Sequence, residues 1–300
     1  MLSTQDVQRM RVLGCHGAHD HWFTSLLYGE PSLDNDMAVY FDGRALTLCA
    51  YPLVGRSMPE RREVAKWASR WVEQTDAQAL MLVAPWCPDL RGIRAHGLER
   101  YHSWPARHIA QELIAPCPSK ANPAAPGRSG RRRRRALAEP YEFRVRPGGT
   151  MDSAILALVE RFHHRMGVTP YLAGLITAWP AILMAPSVSF MEAWQGRLLR
   201  GVIAVHRPFE TAAVAIAMAR DDKAPGVADF LYAHMLRHLG ALGCESVNLG
   251  PSATPGQFSF KLKWARPSAL PPHAIVEWRV PCLARRYFNL WGPRTMQKTR

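Results

Sequence analysis

The chain has 300 residues, of which 48% are hydrophobic and 21% are charged, so it can bury the core of one large domain or of two smaller ones. Lys and Arg number 38 against 24 Asp and Glu, and the resulting formal net charge of +14 favours anionic partners such as nucleic acid, lipid headgroups or phosphorylated substrates. No apolar run reaches the roughly 20 residues that a helix needs to cross a bilayer, so the sequence predicts no membrane-spanning helix.

The six cysteines are scattered, with no CxxC pattern and no close cluster of Cys and His. This spacing argues against a disulfide framework and against a metal site, and it favours a reducing compartment. The N-terminal residues lack the apolar segment of a signal peptide. We therefore expect a cytoplasmic protein without a bound metal.

The first half of the chain contains a strand-turn-strand pattern followed by a helix and another strand. Residues 37–55, MAVYFDGRALTLCAYPLVG, surround a D-G-R turn whose glycine is typical of a β-hairpin. Residues 58–77 predict an amphipathic helix, and residues 78–85, QALMLVAP, predict a buried strand.

A stretch rich in Pro, Ala, Gly and Ser, APCPSKANPAAPGRSG at residues 115–130, predicts a connection between two parts of the chain. We expect an N-terminal domain over residues 1–115, a linker over 116–130 and a C-terminal domain over 131–300.

The second half repeats the pattern of the first. Residues 187–208, SVSFMEAWQGRLLRGVIAVHRP, predict two strands around a Q-G-R turn. Residues 226–243 predict a helix in which Leu231, Met235 and Leu239 form one apolar stripe, and SVNLGPS at 246–252 predicts the strand that follows. The repeated order predicts two mixed α/β units of similar topology.

The region around residues 128–268 resembles the C-terminal unit of the Fem-type and related GNAT-fold acyltransferases. The resemblance is carried by the order of RRRRRALAEPYEFRV, a helix ending in GALGC, then VNLGPS, a glycine-bearing loop and FKLKWARP. The chain departs from the family pattern at Asn248, where an acidic residue is common, and at Ala265, where glycine is common. The resemblance implies an α/β fold of two tandem GNAT-like domains.

The resemblance also implies a reaction. Fem-type enzymes transfer an aminoacyl group from aminoacyl-tRNA to an amine, and relatives transfer an acyl group from CoA. The lysine of the family's Phe-Lys pair, here Lys261 beside Phe260, is implied to stabilise the negative charge that builds on the carbonyl oxygen. The competing interpretation makes Lys261 an ordinary solvated residue of a strand. Further substrate-binding candidates are Asn248, Gly250, Ser252 and Tyr171.

No nucleophile motif is present, and no cysteine has a recognisable partner pattern. This favours direct attack of an acceptor amine on the donor ester or thioester. The acceptor is expected to be a small molecule or a peptide-like compound, and no cofactor is expected besides the donor.

A loop at residues 223–228 keeps a CoA-dependent alternative open. GNAT enzymes that use CoA bind its pyrophosphate with Q/R-x-x-G-x-G/A at a helix N-terminus. Lys223, Gly226 and Ala228 form a degenerate version of that motif. The simpler interpretation is that Pro225 and Gly226 only turn the chain into the helix.

The run of arginines before the second domain is the most basic segment of the chain. If the run is helical, we expect the arginines early in the helix, where its dipole disfavours cations. The alternatives are a solvated linker enriched in arginine by codon bias, or a surface for the phosphates of tRNA. The tRNA-binding candidates are Arg128, Arg131, Arg132, Arg133, Arg134, Arg135 and Lys263.

A histidine pair and three tryptophans are weaker candidates for a site. His163 and His164 are adjacent, so at most one can face a site, and surface or core positions are the simpler interpretation. Trp179, Trp194 and Trp264 are expected in the core.

A third function is compatible with the departures from the family pattern, a non-catalytic GNAT pair that binds RNA or protein.

Overall fold

The computed structural model describes residues 21–34, 37–50, 60–84, 98–104, 111–118, 128–166, 170–208, 210–250, 252, 254–267 and 274–279. The chain divides into two compact units, one formed by Met1–Glu112 with Ser268–Arg300 and the other by Leu113–Pro267. Within the described part of the chain, no helix is both long and apolar enough to cross a membrane.

The first unit contains one six-stranded sheet, and all but one of its strands come from the first half of the chain. Its elements in that half are α1 (His21–Tyr28), β1 (Glu30–Asp34), β2 (Met37–Phe41), β3 (Ala45–Cys49), α2 (Arg61–Thr75), β4 (Ala79–Ala84) and β5 (Glu99–Trp104).

The predicted hairpin of the first unit is confirmed by the antiparallel pairing of β2 with β3. Asp42 Oδ1 accepts hydrogen bonds from the N–H groups of Arg44 (2.8 Å) and Ala45 (2.7 Å), and Gly43 adopts φ +90° between them. This side-chain turn leaves one position where only glycine is unstrained.

Helix α2 then carries the chain over the sheet, so that β4 pairs with β3 in parallel. At the start of α2, the backbone N–H of Glu60 donates to Glu63 Oε2, which is one of the two hydrogen bonds of a capping box. The helix and the strand after it confirm the predicted order.

The second unit contains one seven-stranded sheet and most of the helices described. Its elements are β6 (Leu113–Pro116), α3 (Arg128–Leu137), β7 (Glu142–Pro147), α4 (Ser153–Met166), α5 (Pro170–Met184), β8 (Val188–Gln195), β9 (Leu198–His206), β10 (Ala212–Arg220), α6 (Val227–Ala241), β11 (Ser246–Asn248), α7 (Pro255–Lys261) and β12 (Arg266–Pro267). The strand order in this sheet is β12-β6-β11-β10-β9-β8-β7.

The core of the second unit lies between this sheet and α6. The predicted stripe is confirmed, because Leu231, Met235 and Leu239 are all buried in one cluster. Ile203 and Val205 of β9 belong to the same cluster. Alternate residues of β9 point to the other face of the sheet, where α4 packs on β9 and β10.

The two units share a strand-strand-helix-strand order, but the correspondence differs from the predicted one by a strand. In each unit an antiparallel pair is followed by a crossover helix and a parallel strand: β2, β3, α2 and β4 in the first, β9, β10, α6 and β11 in the second. The predicted repeat matched β8 and β9 to the first hairpin. It overlooked β10, whose run AAVAIAMAR is nearly continuously apolar, as expected of a central strand.

Each sheet receives a strand from the distant part of the sequence. The last strand of the described chain, β13 (Ala274–Arg279), lies between β4 and β5 in the first sheet, giving the order β1-β2-β3-β4-β13-β5. In the second sheet the equivalent place, next to β11, is taken by β6.

The observed division therefore differs from the predicted boundaries at both ends. Residues 113–115 were predicted in the first domain and residues from 268 onward in the second. Both discrepancies come from strands that pair far along the chain, which local sequence patterns do not reveal.

Candidate functional site

The candidate site lies at the carboxyl end of β11 in the second unit. β11 runs parallel to β10 but pairs with only its first three residues, ending at Val214 opposite Asn248. β10 continues to Arg220 beside β9, with a bulge between Ala215 and Ala217. Beyond Val214, β10 has no strand partner on the β11 side among the described residues, so its edge can receive an extended substrate segment.

A tight turn closes the end of β11. Asn248 is fully buried, and its Oδ1 accepts a hydrogen bond of 2.7 Å from the N–H of Gly250. Gly250 adopts φ +65°, a conformation that favours glycine. The N–H of Gly250, a predicted substrate-binding residue, is thus engaged within the turn, and the carbonyls of Leu249 and Gly250 accept hydrogen bonds from a lysine.

That lysine is Lys261, the last residue of α7. Its Nζ donates to the carbonyl oxygens of Leu249 (2.6 Å) and Gly250 (3.3 Å), and the side chain is half-buried. The competing interpretation of a solvated strand residue is wrong, since Lys261 ends a helix and is anchored. The helix forms because Thr254 caps it, accepting from the N–H of Gln257 at 3.2 Å, and Pro255 occupies its first turn.

An aromatic cluster supports the lysine from the core side. Phe260 meets Tyr232 edge-on at 5.2 Å between ring centroids, and Trp264 lies 6.1 Å from the same tyrosine ring. Burial raises the pKa of Tyr232, so this phenol is neutral at physiological pH. The ammonium of Lys263 lies 5.4 Å from the centre of the Phe260 ring, within the range of a cation–π contact.

Two polar atoms near this cluster are buried without a hydrogen-bond partner among the described residues. They are Oγ of Ser252, in the loop between β11 and α7, and Nε1 of Trp264. Such orphaned groups cost stability, and they are typically found where function requires them.

The arginine run forms part of α3, an ordered helix of the second unit. The helix packs on α6 and buries Ala136. Arg134 and Arg135 lie in its last turn, where the helix dipole stabilises cations, so the predicted early placement is wrong for these two residues. The linker interpretation is also wrong for residues 128–137, which are helical.

The outer face of α3 is an array of unneutralised positive charge, which we call the arginine face: Arg131, Arg132, Arg134 and Arg135. All four are exposed, and none pairs with a carboxylate among the described residues. Arg132 Nη1 lies 3.5 Å from the carbonyl oxygen of Lys263, which brings the arginine face next to the end of α7.

Solved structures match nearly the whole chain at low sequence identity. The C-terminal DUF2156 domain of a protein assigned as a lysylphosphatidylglycerol synthetase from Agrobacterium fabrum matches with a TM-score of 0.53 and 15% identity over 93% of both chains. L-PGS from Bacillus licheniformis matches with a TM-score of 0.51 and 14% identity over 97% of this chain and 98% of the other. FemX matches with a TM-score of 0.50 and 9% identity over 92% and 96%. The chain has the GNAT/Fem-like acyltransferase fold.

These likenesses are of fold, since no protein-family model and no curated protein matches the sequence. They confirm the predicted class, a mixed α/β protein with tandem GNAT-like units. Residue roles in this GNAT/Fem-like chain must therefore come from its own geometry.

A carboxylate lies close to the loop in which the CoA-dependent alternative predicts a pyrophosphate site. Gly226 caps α6 with φ +76°, and a Cβ built on it would lie 2.7 Å from Cδ and 2.8 Å from Oε1 of Glu139. The Tyr141 hydroxyl donates to the carbonyl of Pro225 at 2.7 Å and fixes the loop. The Glu139 carboxylate and the Tyr141 ring therefore both lie against the start of this helix.

The other two residues of the predicted loop, Lys223 and Ala228, make no contact with the Glu139 carboxylate among the contacts described. Lys223 is exposed, and its backbone N–H donates to Asp221 Oδ1 at 2.9 Å. Ala228 lies in the first turn of α6, where its small side chain is half-buried. Sequence reasoning missed Glu139 because it follows α3, far from residue 226 in the chain.

The structure places five of the residues predicted for the site close together at the end of β11. Asn248, Gly250 and Lys261 share one hydrogen-bonded turn, with Phe260 and Lys263 beside it. Sequence reasoning missed Tyr232, which lies next to Leu231 in α6 and belongs to no motif. The side chains of Arg128, Arg133 and Tyr171 lie outside the described residues, although their backbones belong to α3 and α5.

The histidine pair lies away from this turn, on α4. His163 is buried with neither ring nitrogen partnered among the described residues, and burial lowers its pKa. His164 is exposed. Trp179 and Trp264 are buried, as predicted, whereas Trp194 is half-buried and donates to Glu192 Oε2 at 2.8 Å.

Proposed function

We propose that this protein transfers an aminoacyl group from aminoacyl-tRNA to an amine of a small-molecule or peptide-like acceptor. The observation that carries the proposal is the adjacency of an anchored lysine and an unneutralised arginine helix. Arg132 of the arginine face reaches the carbonyl of Lys263, two residues beyond Lys261. The fold and the Fem-type resemblance agree with this chemistry.

The reaction joins the acceptor nitrogen to the carbonyl carbon of the aminoacyl ester. As the C–N bond forms, negative charge builds on the carbonyl oxygen, and the C–O bond to the tRNA ribose then breaks. The proton lost by the amine goes to the departing ribose hydroxyl, directly or through solvent. A covalent enzyme intermediate is unnecessary.

Lys261 is proposed to stabilise the transient oxyanion. Two backbone carbonyls hold its ammonium in a half-buried position, so little reorganisation is needed when the charge develops. A cation fixed in this way favours the transition state over the neutral ester. Phe260 and Tyr232 limit the space around it.

The arginine face is proposed to hold tRNA through phosphates. Exposed guanidinium groups without carboxylate partners bind phosphate oxygens and release counterions, largely independently of base sequence. An alanine substitution of Lys263 should weaken the same interaction, because Lys263 is exposed and its backbone carbonyl contacts Arg132 of the arginine face.

The deciding experiment follows labelled aminoacyl groups. Purified protein is incubated with charged total tRNA and acceptor pools, and in parallel with acetyl-CoA. One acceptor pool contains phosphatidylglycerol, which offers a hydroxyl and no amine, because one matched structure belongs to a protein assigned as a lysylphosphatidylglycerol synthetase. Transfer to phosphatidylglycerol alone would contradict the proposed amine acceptor. We expect protein-dependent, CoA-independent transfer of label from tRNA to an amine acceptor. Consumption of acetyl-CoA alone, or no transfer from any donor, contradicts the proposal.

A matched pair of variants links this activity to the site. Lys261→Met removes the anchored ammonium, whereas Lys66→Met removes an exposed ammonium on α2 of the first unit. Only the first should abolish transfer. Full activity of Lys261→Met overturns the role assigned to Lys261.

A further inference from the structure

We infer that Glu139 is a specificity-determining residue that excludes diphosphate-bearing donors such as acyl-CoA from the second unit. The inference deepens the proposed function, on which it rests for the nature of the true donor. Its basis is the position of the Glu139 carboxylate at the start of α6.

The carboxylate lies against the start of α6. Both carboxylate oxygens lie within 3.0 Å of the Cβ position of Gly226, the residue that caps α6. Backbone N–H groups at a helix start attract anions, and here a carboxylate of the chain itself lies beside the residue that caps the helix. A diphosphate would have to displace Glu139 to reach those groups.

The surrounding charges increase the exclusion. Asp221 lies in the loop before α6, and Asp229 lies in the first turn of α6 with its Oδ1 buried and without a hydrogen-bond partner among the described residues. Arg200 pairs with Asp221 at 2.6 Å, and Arg165 and Arg220 pair with Asp222, so these charges largely compensate one another. Glu139 and Asp229 have no ion-pair partner among the described residues, so two unpaired carboxylates lie at the start of α6, which is unfavourable for a diphosphate.

The position of Glu139 is held from both sides. Its own backbone N–H donates to the carbonyl of Ala136 in α3, and its carbonyl accepts from the N–H of Tyr141. Tyr141 in turn donates to Pro225, and its ring meets Phe230 of α6 edge-on at 5.4 Å. The segment after α3 is therefore clamped onto the start of α6.

One helix and its extension thus serve two opposite electrostatic purposes. The arginine face of α3 offers cations to the phosphodiester backbone of tRNA. Two residues beyond the end of α3, the Glu139 carboxylate lies against the loop that would hold a diphosphate. Donors bound through many separate phosphates are favoured, and donors bound through one diphosphate are rejected.

The test measures binding of acetyl-CoA to the full chain by calorimetry at fixed ionic strength. The wild-type protein is compared with Glu139→Gln, which keeps the shape and removes the charge, and with Glu139→Ala, which also opens the space. Glu142→Gln is the matched control, because it removes an exposed carboxylate three residues away on β7. We expect acetyl-CoA to bind at least about tenfold more tightly to both Glu139 variants and no change for Glu142→Gln.

Pantetheine serves as the ligand control, since it has the arm of CoA without the diphosphate. Its binding should not respond to Glu139 substitution. The inference is overturned if the wild-type protein binds acetyl-CoA as tightly as the Glu139 variants do, or if Glu142→Gln has the same effect. Thermal melting of each variant confirms that it is folded, and Glu139→Gln remains informative if Glu139→Ala is unstable.

The binding readout separates this inference from the proposed function. If tRNA-dependent transfer is observed but Glu139 variants gain no affinity, only the specificity role fails. If the Glu139 variants gain affinity but no transfer from tRNA occurs, the specificity role stands and the proposed function fails.

Discussion

The Nζ of Lys261 donates a 2.6 Å hydrogen bond to the carbonyl oxygen of Leu249, which joins the last residue of α7 to the turn after β11. A helix terminus and a strand terminus are thereby fixed to each other through one ammonium group. This bond can serve structure, catalysis or both, and substitutions at Lys261 separate the roles.

Lys261→Met should lower kcat for aminoacyl transfer by about 100-fold to 1,000-fold, the range seen when one oxyanion-stabilising donor is removed. KM for the donor should change little, because the tRNA is held mainly by phosphate contacts. Lys261→Arg should recover part of kcat, since it keeps a charge. A purely structural lysine would instead give a lower melting temperature with kcat per folded molecule unchanged.

Neutralising Arg131, Arg134 and Arg135 to Gln should weaken tRNA binding and reduce the dependence of log K on log salt by about 0.7 to 0.9 per lost phosphate contact. The control replaces three exposed arginines elsewhere with Gln, namely Arg62, Arg197 and Arg207. Both triple variants lose the same net charge, so an equal loss of affinity in the control would show that only net charge matters. Filter binding over a salt series measures both slopes.

The elements that sequence reasoning predicted are those with local patterns. Alternation around Asp42-Gly43-Arg44 predicted the first hairpin, and the Leu231 stripe predicted α6. The pairing of β6 with β11 and of β13 with β4 was not predicted, because in each case the two strands lie more than 100 positions apart in the chain. The site shows the same division. Lys261 was proposed from its resemblance to the Phe-Lys pair of Fem-type enzymes, whereas its helical setting and the contact of Glu139 with Gly226 depend on tertiary packing.

His163 should make the protein less stable as the pH falls. Burial lowers its pKa below the usual value of 6.5 for histidine, so the folded state keeps it neutral while the unfolded state takes up a proton. Its contribution to the unfolding free energy is therefore complete above pH 6.5 and is lost progressively below that value. His234 and His238 act in the same direction, because burial lowers their pKa values too.

Chemical denaturation between pH 7.5 and pH 5.5 measures this effect. His163→Leu should reduce the slope of unfolding free energy against pH, whereas His164→Gln, at the exposed neighbouring position, should not. An unchanged slope in His163→Leu would falsify the assignment of this pH dependence to His163.

Ser252→Ala should leave the protein as stable as the wild type or raise its unfolding free energy by about 1 kcal/mol. The Ser252 hydroxyl is buried without a partner among the described residues, so removing it relieves a desolvation cost. If Ser252 serves the substrate, transfer should nevertheless slow. A destabilised variant would indicate that the hydroxyl has a structural partner, and denaturant melts with rate measurements on the same preparation test both points.

Because β13 lies in the first sheet, a substitution in β13 should disturb the sheet of the first unit. Val276 of β13 pairs with Leu82 of β4 and with Ser103 of β5, so β13 is a central strand. Val276→Pro removes a backbone donor from it and should cost at least about 2 kcal/mol, whereas Val276→Thr keeps the donor and the branched side chain. Hydrogen exchange should then speed up in β4 for the proline variant while β9 and β10 keep their protection. Equal protection of β4 in both variants would show that β13 does not stabilise the first sheet.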